Sequence, residues 1–196
     1  RALIAVVGDF DPNTMKRMLN DAFGGWKAVP DVLPMVSAKT PETGRRVLLV
    51  DKPGATQSYF WLGNVGVSRL DPQLPAQTVV NTVFGGRFTS MINTELRIKS
   101  GLSYGASSRL SRYNQPGAAY ISSFTQTDST GKAMDLALET LTRLHREGIS
   151  GEMRDSAVNY VLGQYPPNLE TSPALANKLT ELALYGLGRD DVDAYG

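Results

Sequence analysis

Arg97 and Tyr104 are the two side chains whose types and spacing best suit the binding of a ligand. Arg97 has no acidic residue three or four positions away on either side, so its charge has no partner within its predicted helix. Gly101 ends that helix, and Tyr104 opens the next predicted strand. A guanidinium and a phenol are both hydrogen-bond donors at neutral pH. Across such a corner they could converge on one carbonyl or carboxylate of a ligand.

The same two residues also have a purely structural interpretation. Arg97 would then bind carbonyls at the helix C-terminus or a distant acid, and Tyr104 would lie half-buried in the sheet. Spacing alone favours this structural alternative. Glu95 and Lys99, by contrast, are four residues apart with the acidic residue first, which favours an ion pair on one solvated helix face.

Small and aromatic residues near this segment also have two interpretations. Gly85 and Gly86 either end a helix or form a glycine-rich loop with a separate role. The strands that follow are rich in Gly, Ala and Ser, which permits the close approach of a packed helix or of another backbone, and we favour packing. We interpret Tyr59, Phe60 and Trp61 as core residues rather than as a substrate cage.

Composition excludes several classes of function. The chain has 196 residues, no cysteine, one histidine and a formal charge of +1. The absence of cysteine excludes disulfides, iron–sulfur clusters and thiolate zinc sites. The sequence has no basic stripe for nucleic acid and no apolar run long enough to span a bilayer. We therefore predict neither a nucleic-acid partner nor a membrane span.

Common catalytic motifs are absent from the sequence. It has no P-loop, no dinucleotide-binding glycine fingerprint and no Gly-x-Ser-x-Gly nucleophile elbow. The single histidine, His145, lies near the C-terminal end of a predicted amphipathic helix, where histidine commonly interacts with the helix dipole or exposed carbonyls. A hydrolase that relies on His145 alone is therefore disfavoured.

Hydrophobic patterning predicts alternating groups of strands and helices. The predicted strands are 2–7, 45–51, 57–67, 104–112 and 118–126, and the predicted helices are 12–23, 72–84, 90–100, 132–146, 150–165 and 172–185. Turn residues at 51–54 and 114–117 predict hairpins between the second and third strands and between the last two. This order indicates an α+β layered sandwich, with a mainly antiparallel sheet covered by helices.

The region 85–105 resembles a known family. Its sequence, GGRFTSMINTELRIKSGLSYG, is similar to the motif of the C-terminal, non-zinc domain of the insulinase (pitrilysin, mitochondrial processing peptidase) family of zinc metallopeptidases, in its bacterial type. Val6–Pro12, together with Phe23–Trp26, resembles the strand–helix unit that closes the family's N-terminal domain. Leu49–Ser58 is similar to the first hairpin of its C-terminal domain.

The resemblance implies a division of the chain. Residues 1–27 would close the preceding N-terminal domain, and residues 45–196 would form the C-terminal domain, truncated at its C-terminal end. Prolines interrupt residues 28–44 without a clear period, which predicts a linker. The chain begins at Arg1 rather than at methionine, and we expect it to be part of a longer protein.

The resemblance also implies a function. Arg97 and Tyr104 would be the arginine–tyrosine pair that reaches toward the zinc site of the other half and holds the peptide substrate, with Gly85 and Gly86 as a loop near that substrate. The family's zinc motif, His-x-x-Glu-His, is absent. We therefore expect no metal ligand, no catalytic residue and no hydrolysis from this chain alone.

The expected partner is a zinc-bearing N-terminal domain or a zinc-bearing partner subunit, with zinc as the cofactor of the complete enzyme. The chain would be the substrate-binding, chamber-closing domain of a zinc-dependent metalloendopeptidase. The alternative is a non-proteolytic structural or assembly subunit of the same family. Family members occur in several compartments, and we favour the bacterial periplasm over the cytoplasm.

Overall fold

The chain is described by a computed structural model that covers residues 2–27, 44, 47–48, 50 and 52–193. The described residues form two compact units. One unit comprises those within Arg1–Val36 and Leu162–Gly196, and the other comprises those within Ser37–Val161. The candidate site residues Arg97 and Tyr104 belong to the second unit.

Helices dominate both units. The α-helices are α1 (Pro12–Phe23), α2 (Leu74–Asn81), α3 (Met91–Asn93), α4 (Thr130–Glu147), α5 (Gly151–Gln164), α6 (Ser172–Tyr185) and α7 (Asp190–Asp193), and the strands are β1 (Gln57–Val65), β2 (Ser103–Leu110) and β3 (Ala118–Gln126). Short 3₁₀ turns cover Thr127–Ser129 and Pro167–Leu169. Two π-helical turns, Thr82–Gly86 and Thr94–Lys99, continue α2 and α3.

The three strands form one antiparallel sheet in the order β1-β3-β2. The predicted hairpin between β2 and β3 is confirmed, with Leu110 opposite Ala119. β1 also pairs with β3, from Gln57 opposite Gln126 to Val65 opposite Ala118. This pairing joins segments distant in sequence, so local turn chemistry could not predict it.

The hairpin predicted between residues 45–51 and 57–67 is not formed by the described residues. Of its first strand, residues 45, 46, 49 and 51 lie outside the description, while Val47, Leu48 and Val50 are exposed and belong to no strand. The turn itself is present, since Gly54 has a φ of +76° and the Ala55 amide donates to the Lys52 carbonyl at 3.4 Å. Turn chemistry alone does not fix a strand partner.

Helices cover one face of the sheet and enclose the core. Eight buried residues form this core: Phe60, Phe84, Ile92, Leu96, Ala106, Ile121, Ala133 and Ala137. They come from all three strands, both π-helical turns, α3 and α4, so burial of apolar surface holds the helical layer on the sheet. The predicted α+β class, an antiparallel sheet covered by helices, is confirmed.

The first unit is helical. The predicted helices 12–23 and 172–185 match α1 and α6, and Asp11 caps α1 by accepting a hydrogen bond from the Thr14 amide at 2.8 Å. The sequence predicts a strand over residues 2–7, but these residues form no strand with any described residue. An unpaired strand leaves its backbone hydrogen bonds unmade, so the apolar run alone does not produce one. Of the predicted linker, residues 28–43 lie outside the described part, and the predicted domain boundaries stay a prediction.

Candidate functional site

Arg97 projects from the second π-helical turn. The sequence predicts an α-helix over 90–100, but the Ser100 amide donates to the Glu95 carbonyl at 3.1 Å, five residues back. Such a wider turn changes the direction of the side chains that follow it, and π-helical turns are frequent at functional sites. Gly101, with a φ of +63°, then reverses the chain toward β2.

The guanidinium of Arg97 lies against two aromatic rings. Its central carbon is 4.5 Å from the centroid of the Tyr104 ring and 4.8 Å from that of Phe88. Each contact is a cation–π interaction, which holds the guanidinium without consuming its N–H donors. Within the described part of the chain, no acceptor or carboxylate pairs with Arg97.

Tyr104 lies at the start of β2 with 74% of its surface exposed. It is therefore not the half-buried sheet residue of the structural alternative. The structure brings Arg97 and Tyr104 together, with the guanidinium of Arg97 against the exposed ring of Tyr104. Such a pair can bind a carbonyl or carboxylate oxygen of a ligand.

A cavity of about 590 Å³ opens beside Arg97, and we call it the arginine cavity. Its lining comes from both π-helical turns, the segment that joins the first of them to α3, α3 itself, all three strands and α5: Tyr59, Trp61, Gly85, Gly86, Arg87, Phe88, Asn93, Arg97, Gly105, Ala106, Ser107, Ser122, Ser123, Phe124 and Tyr160. This is within the usual size range of ligand pockets. The cavity therefore has room for several residues of an extended peptide.

Gly85 and Gly86 both line the arginine cavity, but neither has a positive φ. A Cβ atom on Gly85 would lie 2.4 Å from the backbone nitrogen of Ser108, so β2 packs directly on this residue. On Gly86 it would lie 3.1 Å from the Asn81 carbonyl oxygen. Gly85 is thus required for helix-to-strand packing, and its role beside a substrate stays a prediction.

The interpretation of Tyr59, Phe60 and Trp61 as core residues is correct only for Phe60. Tyr59 and Trp61 are 72% and 71% exposed, because alternate residues of β1 point to the face that the helices do not cover. Tyr59 stacks on Phe124 at 5.3 Å and Trp61 on Tyr120 at 4.9 Å between ring centroids. The result is an aromatic wall on one side of the arginine cavity.

Glu95 lies in the same helical turn as Arg97 but has different neighbours. It accepts hydrogen bonds from Arg143 of α4 at 2.8 Å and from Lys99 at 3.0 Å, as the spacing of Glu95 and Lys99 predicts. Partial burial by itself would raise the pKa of Glu95, but the two hydrogen bonds and the two positive charges outweigh it, so the pKa is lowered. These ion pairs link the helical turn that bears Arg97 to α4.

Comparison with protein families decides the classification. The family model described as "Peptidase M16 inactive domain" matches residues 1–161. The chain belongs to the peptidase M16 inactive-domain family. The resemblance found in the sequence, to the non-zinc half of a zinc metallopeptidase, is confirmed.

Curated relatives of this M16 inactive domain are named as zinc proteases. An uncharacterized zinc protease of Streptomyces coelicolor is 25% identical over 182 residues, which cover 90% of this chain and 39% of the relative. An uncharacterized zinc protease of Bacillus subtilis, YmxG, is 24% identical over 172 residues, 88% of this chain and 41% of the relative. The chain thus spans about two fifths of the length of these relatives.

Solved structures share the fold of the M16 inactive domain. A protease from Helicobacter pylori aligns over 92% of this chain and 44% of its own, with a TM-score of 0.75 and 18% identity. The M16 inactive domain from Pseudomonas fluorescens aligns over 72% of this chain and 34% of its own, with a TM-score of 0.66 and 21% identity. The periplasmic protease PqqL of Escherichia coli aligns over 92% of this chain and 20% of its own, with a TM-score of 0.65 and 17% identity.

The described residues do not fit a zinc site. His145, the one histidine of the sequence, is exposed near the end of α4. Within 2–27 and 52–193, no three His, Cys, Asp or Glu residues come close enough together to hold a metal ion. The helices described for this M16 inactive domain are also too short or too polar to cross a membrane.

Sequence reasoning missed most of the residues that line the site, and four of them show why. Arg87 and Phe88 follow the glycine pair directly, and their place within the family motif could have drawn attention to them. Asn93 comes one turn before Arg97, but its bonds to another element depend on the fold. Tyr160 is distant in sequence and carries no local signal.

Proposed function

We propose that this chain is the substrate-binding, chamber-closing domain of a zinc-dependent metalloendopeptidase. Arg97 holds an extended peptide in the arginine cavity by donating hydrogen bonds to its carbonyl oxygens. Tyr104, which lies against Arg97 but outside the lining of that cavity, binds the same peptide beside it. The observation that carries the proposal is the guanidinium of Arg97, which lies between Phe88 and Tyr104 without an ion-pair partner among the described residues. A cation placed at a cavity wall with free N–H donors is suited to binding rather than to stabilising the fold.

The zinc ion and its ligands belong to a zinc-bearing domain of the same protein or to a partner subunit. The relatives named as zinc proteases, and their greater length, support this division. The division of the chain at residues 1–27, 28–44 and 45–196 is part of the proposal. This domain contributes binding and orientation of the peptide, together with exclusion of water around it.

A periplasmic location is also part of the proposal. It is supported by the shared fold with the periplasmic protease PqqL. Fractionation of the source cells, with antibodies against this chain and against a cytoplasmic marker, tests it. Recovery of the chain with the cytoplasmic marker would contradict this location.

The functional proposal is tested by peptide turnover in the assembled protein. Arg97→Ala and Tyr104→Phe each remove donors from the proposed substrate contact, so kcat/KM falls by roughly 100-fold, the usual order for a donor aimed at developing negative charge. Arg109→Ala is the matched control for Arg97, because Arg109 is an exposed arginine of β2 outside the arginine cavity. Tyr113→Phe is the control for Tyr104.

Assembly is measured in parallel by size-exclusion chromatography. Unchanged turnover in both variants would overturn the proposal and favour the structural or assembly subunit. Loss of turnover together with loss of assembly would also contradict a specific binding role. Loss of turnover with intact assembly, confined to Arg97 and Tyr104, supports it.

A further inference from the structure

The arginine cavity carries more positive charge than the proposed contact with peptide carbonyls requires. Arg87 and Arg97 both line it, and the described residues of its lining include no aspartate or glutamate. Two like charges in one concave site with no counter-charge raise the local potential and favour an anion. A neutral peptide backbone does not use this potential.

Arg87 is held in place on one side of its guanidinium. Its Nη1 donates to the hydroxyl of Ser156 at 2.9 Å and to the carbonyl of the same residue at 3.3 Å. Its guanidinium carbon lies 6.0 Å from the centroid of the Tyr160 ring. These contacts anchor Arg87 to α5 and fix the direction of the group.

The other side of the Arg87 guanidinium is incompletely paired. Its Nε is buried and has no acceptor among the described residues, and its Nη2 makes no hydrogen bond to them. A buried donor without an acceptor is costly, and a negative charge bound beside it offsets this cost best. A carboxylate bound at Nη2 would supply that charge.

The remaining walls indicate what surrounds the carboxylate. The hydroxyls of Ser107 and Ser122 are 3.1 Å apart on the uncovered sheet face and offer further polar contacts. The rings of Tyr59 and Trp61 stand beside them, exposed and stacked on their β3 neighbours. The cavity thus joins a cationic part to an aromatic part.

We propose that the arginine cavity is a carboxylate subsite of the peptide-binding face. Arg87 binds the carboxylate, Arg97 adds positive charge while it holds the backbone, and the aromatic wall takes a large apolar side chain next to the acidic one. This rests on the proposed function and specifies its substrate class: acidic peptides with an aromatic or large aliphatic neighbour. The carboxylate comes from a glutamate or aspartate side chain or from the peptide C-terminus.

Binding of three peptides by the assembled protein tests this subsite, measured by isothermal titration calorimetry with EDTA present to prevent cleavage. The first peptide has an internal Phe-Glu pair and an amidated C-terminus. The second replaces that glutamate with glutamine, and the third is the second with a free C-terminal carboxylate. We expect the first peptide, the third peptide or both to bind about tenfold more tightly than the second, and the preferred one identifies the source.

Variants assign this preference to Arg87. Arg87→Gln removes the preference, so the acidic and the neutral peptides bind this variant with equal affinity. Arg87→Lys keeps the charge but loses the guanidinium geometry, so the preference is reduced but not removed, and this variant serves if Arg87→Gln fails to fold. Arg109→Gln, an exposed arginine outside the cavity, leaves the preference intact.

The outcomes separate this inference from the proposed function. Equal binding of all three peptides, or a preference that persists in Arg87→Gln, overturns the carboxylate subsite but leaves peptide binding in place. Failure of all three peptides to bind, or binding of the neutral peptide that is insensitive to Arg97→Ala, overturns the proposed function and the subsite with it.

Discussion

Asn93 binds Ala106 across the junction between the helical layer and the sheet. Its side-chain oxygen accepts a hydrogen bond from the Ala106 amide at 3.1 Å, while its nitrogen donates to the Phe88 carbonyl at 2.7 Å. One buried amide therefore connects the segment that bears Arg97, the strand that bears Tyr104 and the residue that stacks on Arg97. The relative position of the two candidate binding residues depends on this connection.

Asn93→Ala is expected to destabilise the fold and weaken peptide binding together. It leaves the Ala106 amide and the Phe88 carbonyl without their partner, at a cost of about 1–3 kcal/mol for the buried Ala106 amide. Chemical denaturation measures the loss. Asn64→Ala is the control, because the side chain of Asn64 is exposed and, among the described residues, accepts a hydrogen bond only from the next amide. Equal stability of the two variants would contradict the connecting role of Asn93.

Phe88→Ala is expected to weaken peptide binding without unfolding the domain. Phe88 is 60% exposed, so little core packing is lost, but Arg97 loses one of its two aromatic contacts. A cation–π contact at an exposed site is worth about 0.5–1 kcal/mol, which corresponds to a severalfold rise in KM. Steady-state kinetics and thermal melting measure the two effects. Tyr113→Ala removes another exposed ring and is expected to change neither the KM nor the melting temperature. An unchanged KM in Phe88→Ala would show that Phe88 does not position Arg97.

Glu95→Gln is expected to lower stability at neutral pH but not in acid. The pKa of Glu95 is lowered in the folded state, so its contribution is fully present above the ordinary glutamate pKa and is lost as pH falls through the folded value. The expected difference from the unmodified protein is about 1 kcal/mol at neutral pH. Urea denaturation from neutral to acidic pH measures it.

Lys99→Gln provides a comparison for Glu95→Gln. The Lys99 side chain is 63% exposed and the Arg143 side chain is 38% exposed, so solvent weakens the Lys99–Glu95 ion pair more. Removal of Lys99 leaves the Arg143–Glu95 pair in place, and it therefore costs less stability than removal of the Glu95 charge that both pairs share. A difference between Glu95→Gln and the unmodified protein that stayed constant down to the acid range would rule out the charge of Glu95 as its cause.

Gly85→Ala is expected to destabilise the second unit by about 1–3 kcal/mol through overpacking. The new Cβ meets the backbone nitrogen of Ser108, which cannot move away as a flexible side chain can. Gly131→Ala is the matched control: Gly131 lies in the first turn of α4 with nothing within 4 Å of the added atom. That variant is expected to gain up to about 1 kcal/mol from helix propensity. Equal effects of the two substitutions, measured by thermal melting, would contradict the close approach of β2 to Gly85.

Local sequence patterns determined most of the elements and the family. Apolar periodicity predicted α1, α4, α5 and α6, and the turn at Asn114–Gly117 predicted the hairpin of β2 and β3, because these features depend on residues close together in the chain. The family motif at 85–105 pointed to Arg97 and Tyr104 for the same reason. Their contact is present in the structure, and their role in substrate binding stays a prediction.

The tertiary structure alone decided the pairing of β1 with β3, the two π-helical turns and the arginine cavity. The sheet and the cavity depend on residues far apart in sequence: Tyr59 meets Phe124, Arg87 meets Ser156, and Asn93 meets Ala106. Such contacts form because burial of the core outweighs local preference. No local pattern encodes which distant residue pairs with the edge of a strand or with a charged side chain. Tyr59 and Trp61 show this most clearly, since their apolar character predicted burial and the sheet face on which they lie left them exposed.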